Sequence, residues 1–394
     1  MTARPPRFAT LILLTAFATL SLTMFLPSLQ AISEDFRADY ALVNLAIAGY
    51  LGVTAVLQLV IGPLSDRYGR RPVLLVCLGL FTAASIGCLL AQDIVTFLAF
   101  RMIQGVVIAG ASLSAAIVRD THPPESAASR IGYISMAMAV APITGPMLGG
   151  VLEEAFGWRA TFVFYAVAGG LLLLWVWADL GETNHRRSAT LRAQIRTYPQ
   201  LLGAGRFWGY ALCSALSVSA FYAFLSGVPI LAEPVLGISP AMLGLCLGSI
   251  TGGYAFGSYI AGRTAGRFPL TFSMLAGRLI AVLGLSVGFA LIAAGVIAPI
   301  WVFAATVFIG NGNGISMPAS SSGAMSVRPD LAGSAAGLSG SMVVGAGALV
   351  TSAVGAALSA LPEVLLLLGI MLGLAVAALA VAALTWRVEK AGGV

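Results

Sequence analysis

Twelve apolar stretches, separated by short polar or turn-rich breaks, constrain what this chain can fold into. Each holds about 20 residues or more, the length a helix needs to cross the hydrocarbon core of a bilayer. Lipid admits only helices or closed barrels, and barrel strands of about ten alternating residues do not fit such unbroken runs. We predict an all-α membrane protein with twelve transmembrane helices. The stretches are 8–29, 41–62, 72–91, 94–118, 131–152, 160–180, 207–231, 241–261, 270–294, 298–321, 333–358 and 363–386.

Composition supports a membrane protein over a soluble one. Apolar residues make up 59% of the 394 residues and charged residues only 9%, against about 25% charged in a soluble domain. The lipid bilayer is therefore the expected solvent. The first stretch follows Arg4 and Arg7, but it is longer than the apolar region of a signal peptide and is expected to be a retained helix.

The distribution of basic residues predicts the orientation. With a cytoplasmic N-terminus, seventeen basic residues fall on the cytoplasmic side, against only Arg37 and Arg159 on the other. This positive-inside bias predicts that both termini are cytoplasmic, in the inner membrane if the source is bacterial. The net charge of +6 is thereby accounted for, and no nucleic-acid partner is expected. The seventeen are Arg4, Arg7, Arg67, Arg70, Arg71, Arg119, Arg130, Arg186, Arg187, Arg192, Arg196, Arg206, Arg263, Arg267, Arg328, Arg387 and Lys390.

The longest polar stretch divides the chain near its midpoint. We predict an N-terminal six-helix bundle over 1–180, a cytoplasmic linker over 181–206 and a C-terminal six-helix bundle over 207–394. Two pseudo-symmetric halves are typical of transporters that hold a small-molecule substrate near the midplane between them. A monomer is expected.

The most specific motif is GPLSDRYGRRP, Gly62 to Pro72, which we place in a short loop between helices 2 and 3. It resembles the signature loop of the major facilitator superfamily, and the resemblance implies that superfamily's fold. Asp66 can pair with Arg70 or lie against a helix N-terminus, where negative charge is favourable. We predict a gating role for Asp66, Arg67 and Arg70. A weaker echo, GSYIAGRTAGRF, begins at Gly257 and lacks the acid, which is consistent with an internal repeat.

Helix 5 carries APITGPMLGG, which resembles the antiporter motif of drug exporters in the same superfamily. Prolines there permit a bend, and glycines permit the close approach of a neighbouring helix. The gating residues expected from this motif are Pro142, Gly145, Pro146, Gly149 and Gly150. Five shorter phrases extend the resemblance to drug/proton antiporters of the bicyclomycin-resistance type. They are MFLPSL at 24–29, IVRD at 117–120, GWRATF at 157–162, AFLSGVPILAE at 223–233 and DLAGSAAGLSG at 330–340.

Helix 4 places Arg101 and Gln104 inside a membrane span. The RxxQG phrase resembles the superfamily's helix 4 motif, which implies a role in proton coupling or in binding substrate charge. A charge at this depth normally faces a cavity or a partner, and the alternative is that Arg101 snorkels to the headgroups. Arg278 in helix 9 is expected to snorkel.

The superfamily resemblance also implies that helices 1, 4, 7 and 10 wall the substrate pocket. Two asparagines in helix 10 require hydrogen-bond partners, either the substrate or another helix, and the glycines around them are expected to loosen the backbone. The candidates are Thr19, Thr23, Phe25, Arg101, Gln104, Phe221, Tyr222, Phe224, Asn311, Asn313 and Met317.

None of the fifteen acidic residues lies in the middle of a predicted span. In helix 1, Thr23 stands where the resembled subfamily commonly has an acid. Coupling then depends on an acid at a span end, such as Asp120 or Glu233, or on protonation of the substrate; alternatively, transport is uncoupled.

The predicted function is export of small drug-like molecules by alternating access, driven by protons. A dedicated exporter or importer of one anionic metabolite is the alternative, favoured by Arg101 without a nearby acid, and a non-transporting receptor is another. No metal cluster, nucleophile–base set or nucleotide loop is present in the sequence, so an enzyme is not predicted, and no cofactor or metal is expected.

Overall fold

The computed structural model describes residues 6–122, 124–184, 198–264, 266–328 and 331–391. Side chains are not described for 124–129, 131–132, 135–140, 143, 332 and 391. Residues 185–197 of the predicted linker, with His185 and four of its arginines, therefore lie outside the described residues. The described ends of the linker include a short helix, Tyr198–Leu202.

The described residues form long helices and contain no strand. Ten of these helices are long and apolar enough to cross a membrane, and α5 and α8, with 33 and 25 residues, have comparable length. The predicted all-α membrane fold is confirmed. The helices are α1 Phe8–Asp35, α2 Tyr40–Tyr68, α3 Arg70–Leu90, α4 Ile94–Thr121, α5 Pro124–Phe156, α6 Arg159–Asp179, α7 Gly205–Ala232, α8 Pro240–Thr264, α9 Leu270–Ala293, α10 Pro299–Ser326, α11 Gly333–Ala360 and α12 Val364–Lys390.

Two helices contain a short 3₁₀ turn that can be traced to the sequence or to packing. In α1 the turn spans Leu26–Ser28 and contains Pro27, which has no N–H to donate to the preceding turn. In α4 the turn spans Gln104–Val107, where Gly105 allows close contact with the carbonyl of Tyr50 on α2. Both turns leave α-helical carbonyls in need of other donors.

The predicted loop at Gly62–Pro72 is mostly helical, so that prediction is wrong in its extent. Helix α2 continues through Pro63 to Tyr68, and α3 begins at Arg70. The reversal is confined to Gly69, which has φ +104°, a conformation that side chains with a Cβ rarely adopt. Apolarity ends several residues before the helix does because a helix can extend beyond the hydrocarbon core with polar residues.

The two halves of the chain contact each other through α5 with α8 and α2 with α11. We call the end of the bundle that carries Asp66 the motif end, and the opposite end the far end. At the far end, the hydroxyl of Tyr40 donates to the carbonyl of Ser226 at 2.8 Å. Nearby, Nδ2 of Asn44 donates to the carbonyl of Thr351 at 2.7 Å. These bonds hold the far ends of the halves together.

The buried apolar side chains support the same arrangement. One cluster runs through both halves and includes Leu26, Tyr40, Val228 and Leu358 from the far end. A second cluster near the motif end combines Leu201 from the described end of the linker with Phe207 and other residues of the second half. The halves therefore share a core towards the far end.

Candidate functional site

A cavity of about 410 Å³ lies between the halves, near the middle of the helices that line it. Four helices contribute to it: α5 from the first half and α7, α8 and α10 from the second. Its size suits a drug-sized molecule, since ligand pockets typically enclose about 300–1,000 Å³. The lining residues are Pro142, Val218, Phe221, Tyr222, Ile250, Thr251, Tyr254, Gly310, Asn313 and Met317.

The cavity wall is mostly aromatic and aliphatic, and none of the described residues that line it is charged. The rings of Phe221 and Tyr222 lie 5.8 Å apart and are tilted by 51°, and Tyr254 adds a third ring from α8. The polar groups include the hydroxyl of Thr251 and the amide of Asn313. Such a surface suits an amphipathic organic molecule.

Asn313 is the most constrained polar group of the wall, with only 5% of its surface exposed. Its Nδ2 donates to the carbonyl of Ser217 on α7 at 3.4 Å, which fixes the orientation of the amide. Its Oδ1 is buried and has no hydrogen-bond partner within the described part of the chain. Asn313 therefore carries an unpaired acceptor on a residue that lines the cavity.

The structure places only some of the predicted pocket residues at this cavity. Phe221, Tyr222, Asn313 and Met317 line it, as does Pro142, which was expected to act in gating. Phe224 is fully buried against Phe303, with ring centroids 5.8 Å apart. Asn311, two residues before Asn313, is absent from the wall, and its backbone carbonyl lies against Gly257 of α8.

Helix α8 was not predicted as a pocket wall, yet it supplies Ile250, Thr251 and Tyr254. Glycines bring it close to its neighbours: a Cβ at Gly253 would overlap the carbonyl of Val307, and one at Gly244 that of Pro146. The low apolarity and small residues of α8 are the signal that could have identified it.

Arg101 lies inside the first half, away from the cavity, with no exposed surface. Its Nη1 donates to Oε1 of Gln104 at 2.6 Å, and its Nη2 donates to the carbonyl of Ser21 at 2.9 Å. The guanidinium carbon lies 4.0 Å from the ring centre of Phe25 and 4.5 Å from that of Tyr50, a geometry that favours cation–π attraction. This network ties α1, α2 and α4 together.

The remaining first-half candidates also have local partners. Nε2 of Gln104 donates to the hydroxyl of Ser85 on α3 at 2.7 Å. The hydroxyls of Thr19 and Thr23 donate to α1 carbonyls one turn earlier. Phe25 is fully buried and packs on Phe162. In this conformation these residues stabilise the first half and leave the cavity wall to other helices.

The snorkelling interpretations of Arg101 and Arg278 are wrong. Arg278 has 1% of its surface exposed, and its Nη2 donates to the hydroxyl of Ser316 on α10. Its Nε is buried and has no acceptor within the described residues. Arg101 in the first half and Arg278 in the second are thus buried and reach neighbouring helices instead of the headgroups.

At the motif end, Asp66 pairs with Arg70 at 2.6 Å, the first of the two expected arrangements. Asp120 of α4 also binds Arg70 at 3.0 Å, so one partly buried guanidinium joins two carboxylates. The N-terminus of α3 is occupied instead by Glu182, which accepts from the amide of Arg70 at 2.9 Å. Arg67 stacks on Tyr68, with 5.2 Å between its guanidinium carbon and the ring centre.

The glycines of α5 serve two different contacts. A Cβ at Gly145 would meet the hydroxyl of Thr23, and one at Gly149 would overlap the carbonyl of Met24, both on α1 in the same half. A Cβ at Gly150 would overlap the carbonyl of Pro240 on α8, in the other half. Pro142 and Pro146 lie within the unbroken helix.

Comparison with known proteins places these features in a family. Residues 11–351 match the family described as Major Facilitator Superfamily. A Bacillus subtilis protein described as an uncharacterized MFS-type transporter, YdgK, is 34% identical over 260 residues, covering 64% of this chain and 65% of its own length, just under two thirds. A chloramphenicol resistance protein of Pseudomonas aeruginosa is 31% identical over 304 residues, covering 74% of this chain and 72% of that protein.

A solved structure shares the fold over nearly the whole chain. It is a bacterial homologue of the human lysosomal transporter Spinster, in an inward-facing and unoccupied conformation. The TM-score is 0.77 with 18% sequence identity, and the match covers 96% of each chain. At this identity the likeness concerns the fold alone.

Proposed function

Because the chain belongs to the Major Facilitator Superfamily, we propose that it is a secondary active transporter that exports small organic, drug-like molecules in exchange for protons. The observation that carries the proposal is the cavity of about 410 Å³ between the two halves, whose described lining residues are all uncharged. The relative from Pseudomonas aeruginosa, named for chloramphenicol resistance, supports a drug-like substrate.

Transport proceeds by alternating access in this proposal. In the present conformation Tyr40 and Asn44 hold the far ends of the halves together. Opening towards the far side requires that these bonds break and that the motif ends approach each other. The units that move are the bundles 1–180 and 207–394, joined by the linker 181–206.

The proposed orientation puts both termini and the motif end in the cytoplasm, following the positive-inside bias of the loops. Export would then require that the cavity receives its substrate from the cytoplasmic side, which is opposite the bonded far ends. The argument for an anionic metabolite depended on Arg101 facing the substrate. Since Arg101 is enclosed by Ser21, Gln104 and two rings, that argument loses its basis.

We expect purified protein in liposomes to move chloramphenicol against its gradient when a pH gradient is imposed. Uptake of the labelled compound is measured with the gradient, after its collapse by a protonophore, and in protein-free liposomes. A panel of unrelated aromatic compounds distinguishes a broad exporter from a single-substrate carrier. Transport unaffected by the protonophore would remove proton coupling from the proposal, and no transport of any compound would remove the transporter function.

We expect Asp66→Asn to slow transport several-fold while leaving the substrate affinity within a few-fold of wild type. In this variant the guanidinium of Arg70 loses its ion pair with residue 66 and keeps its contacts with Asp120 and Ser65. A partly exposed ion pair is worth about 0.2–1 kcal/mol. The cavity is lined by other helices, so binding is largely spared. Initial rates and binding in the same liposomes test this.

The double variant Asp66→Asn/Asp120→Asn is the matched comparison, because it removes both carboxylates that pair with the poorly exposed guanidinium of Arg70. Its rate should fall by more than the product of the two single effects. Unchanged turnover in a normally expressed Asp66→Asn protein would remove Asp66 from the gating mechanism.

A further inference from the structure

We infer that the cavity selects uncharged aromatic molecules that carry an N–H or O–H donor, and that Asn313 on α10 is the residue that recognises the donor. The inference rests on the proposed transport function and specifies its substrate class. It depends on the charges around the cavity, on its aromatic rings and on the free acceptor of Asn313.

The buried charges make the site unfavourable for cations. Among the described residues, the charged side chains that are buried are all arginines: Arg70, Arg101 and Arg278. The part of the wall that the structure describes contains no carboxylate, so a permanent cation would lose its hydration there with no compensating charge. Arg278 adds positive potential nearby, because it binds Ser316, three residues from Asn313 on the same helix.

Anions are disfavoured by the wall itself. Neither Arg101 nor Arg278 lines the cavity, and both are enclosed by protein, with 0% and 1% of their surfaces exposed. An anion in the cavity would therefore lose water without direct contact with a guanidinium, which is costly in an apolar environment. Uncharged molecules avoid both penalties.

The rings favour an aromatic body. Phe221 and Tyr222 form an adjacent tilted pair, and Tyr254 and Met317 add a third ring and a thioether to the wall. Aromatic rings attract one another in edge-to-face and offset arrangements, and the thioether of Met adapts to different shapes. Several aromatic skeletons can therefore bind to one wall.

Asn313 supplies the polar selection. Because its Nδ2 is directed at the carbonyl of Ser217, the group left for a ligand is Oδ1, which only accepts hydrogen bonds. A buried acceptor without a partner raises the free energy of the empty site, and a ligand N–H or O–H removes that penalty. A site built in this way discriminates strongly against analogues that lack the hydrogen-bonding group.

The test measures equilibrium binding of three labelled probes to the full-length protein in detergent. Chloramphenicol is uncharged and aromatic and carries N–H and O–H donors; its hemisuccinate ester adds a carboxylate; tetraphenylphosphonium is a permanent cation without donors. We expect wild type to bind chloramphenicol at least about tenfold more tightly than either charged probe.

Variants of Asn313 separate recognition from general packing. Asn313→Leu keeps the approximate volume and removes the acceptor, so chloramphenicol binding should weaken about tenfold or more. Asn313→Asp introduces a carboxylate. It should raise the affinity for tetraphenylphosphonium and reduce the ratio by which chloramphenicol binds more tightly than this cation. Asn311→Asp is the matched control, on the same helix but outside the cavity wall. It should bind the three probes in the same order of affinity as wild type. Thermal melting shows that each variant is folded.

The outcomes distinguish this inference from the proposed function. A folded Asn313→Leu protein with unchanged chloramphenicol binding overturns the role of Asn313, and a wild-type preference for a charged probe overturns the substrate class. If liposomes transport only a charged probe, the transporter function stands and the inference fails. If wild type binds the probes in the expected order but transports none, the binding site stands and the transport function fails.

Discussion

Gly150→Leu is expected to reduce transport at least about tenfold while leaving the protein folded. A Cβ at this position would overlap the carbonyl oxygen of Pro240 and approach the backbone of Ala241. Backbone atoms cannot rotate away as a flexible side chain can, so α5 and α8 must separate. Because these helices belong to different halves, the strain falls on the closed far end and leaves the core of either bundle intact.

The expected magnitude follows from the cost of overpacking, about 1–3 kcal/mol for extra methylenes in a packed interface. A change of 1.4 kcal/mol is tenfold in an equilibrium constant, so the far-end-closed conformation should lose roughly one to two orders of magnitude in population. A transporter held in the other conformation binds substrate but does not cycle.

A reporter at the far end makes the direction of the shift visible. Thr351 is fully buried, and its carbonyl accepts from Asn44 across the halves. In the Thr351→Cys background, Gly150→Leu should increase labelling by a membrane-impermeant thiol reagent applied from the far side. Normal transport together with a protected reporter would show that α5 and α8 tolerate the side chain, and that the close approach is not required.

Two glycine controls define the effect. Gly252 is exposed on α8 and has nothing within 4 Å of an added Cβ, so Gly252→Leu should transport normally. Gly149 contacts α1 of its own half, so Gly149→Leu should reduce the yield of folded protein instead of trapping a conformation. The adjacent pair Gly149 and Gly150 thus separates packing within a half from closure between halves.

The sequence predicted the spans well because bilayer thickness fixes a minimum apolar length. The stretches 160–180 and 270–294 correspond to Arg159–Asp179 and Leu270–Ala293. The prediction fell short where helices continue with polar residues: 131–152 became Pro124–Phe156, which takes Glu153 and Glu154 into the last turns of α5. Hydropathy detects the apolar part of a helix and does not locate its ends.

The site was harder to predict because these helices are apolar on all sides. A soluble amphipathic helix shows which face is buried, but here lipid-facing, bundle-facing and cavity-facing positions have similar residues. Helix α10 illustrates the problem. Its glycines were expected to loosen the backbone, yet α10 is unbroken, and Gly310 and Gly314 let it approach α8 while Gly312 approaches α9. These close approaches to α8 and α9 orient α10 so that Asn313 lines the cavity and Asn311 does not.

Arg101 shows the limit of reasoning from one residue in one span. The sequence reveals a charge at membrane depth but not its acceptors, which come from Ser21 on α1 and Gln104 one turn away. The carbonyl of Ser21 lies in the last turn of the Phe8–Thr23 segment, where the helix no longer supplies a donor. The end of this segment at Thr23 therefore leaves the carbonyl of Ser21 as an acceptor, and Arg101 satisfies it together with Tyr165.

We expect Arg101→Met to destabilise the folded protein strongly, with transport lost in proportion to the folded protein. The substitution leaves Oε1 of Gln104 without its donor, at about 1–3 kcal/mol for a buried group left unsatisfied, and the carbonyl of Ser21 keeps only the hydroxyl of Tyr165. It also removes the cation from between the rings of Phe25 and Tyr50. Arg101→Lys should be intermediate, because an ammonium lacks the planar fork that reaches both acceptors at once.

Arg278→Met is the matched comparison and should have the opposite sign or no effect. Arg278 is as deeply buried as Arg101, and the Nε of each lacks an acceptor among the described residues. Arg101 has two acceptors and two rings around its guanidinium, whereas Arg278 donates to Ser316. Replacing a poorly compensated buried charge by a well-packed apolar side chain is often neutral or stabilising, by about 1–4 kcal/mol in documented cases. Ser316 can then bond to the backbone of its own helix, as Ser85 does to Phe81.

Melting curves from size-exclusion chromatography of heated samples compare the two variants directly. An Arg101→Met protein that melts like wild type but does not transport would mean that Arg101 acts in substrate binding or in coupling. A large loss of stability in Arg278→Met would mean that the second half depends on its buried arginine as the first half does.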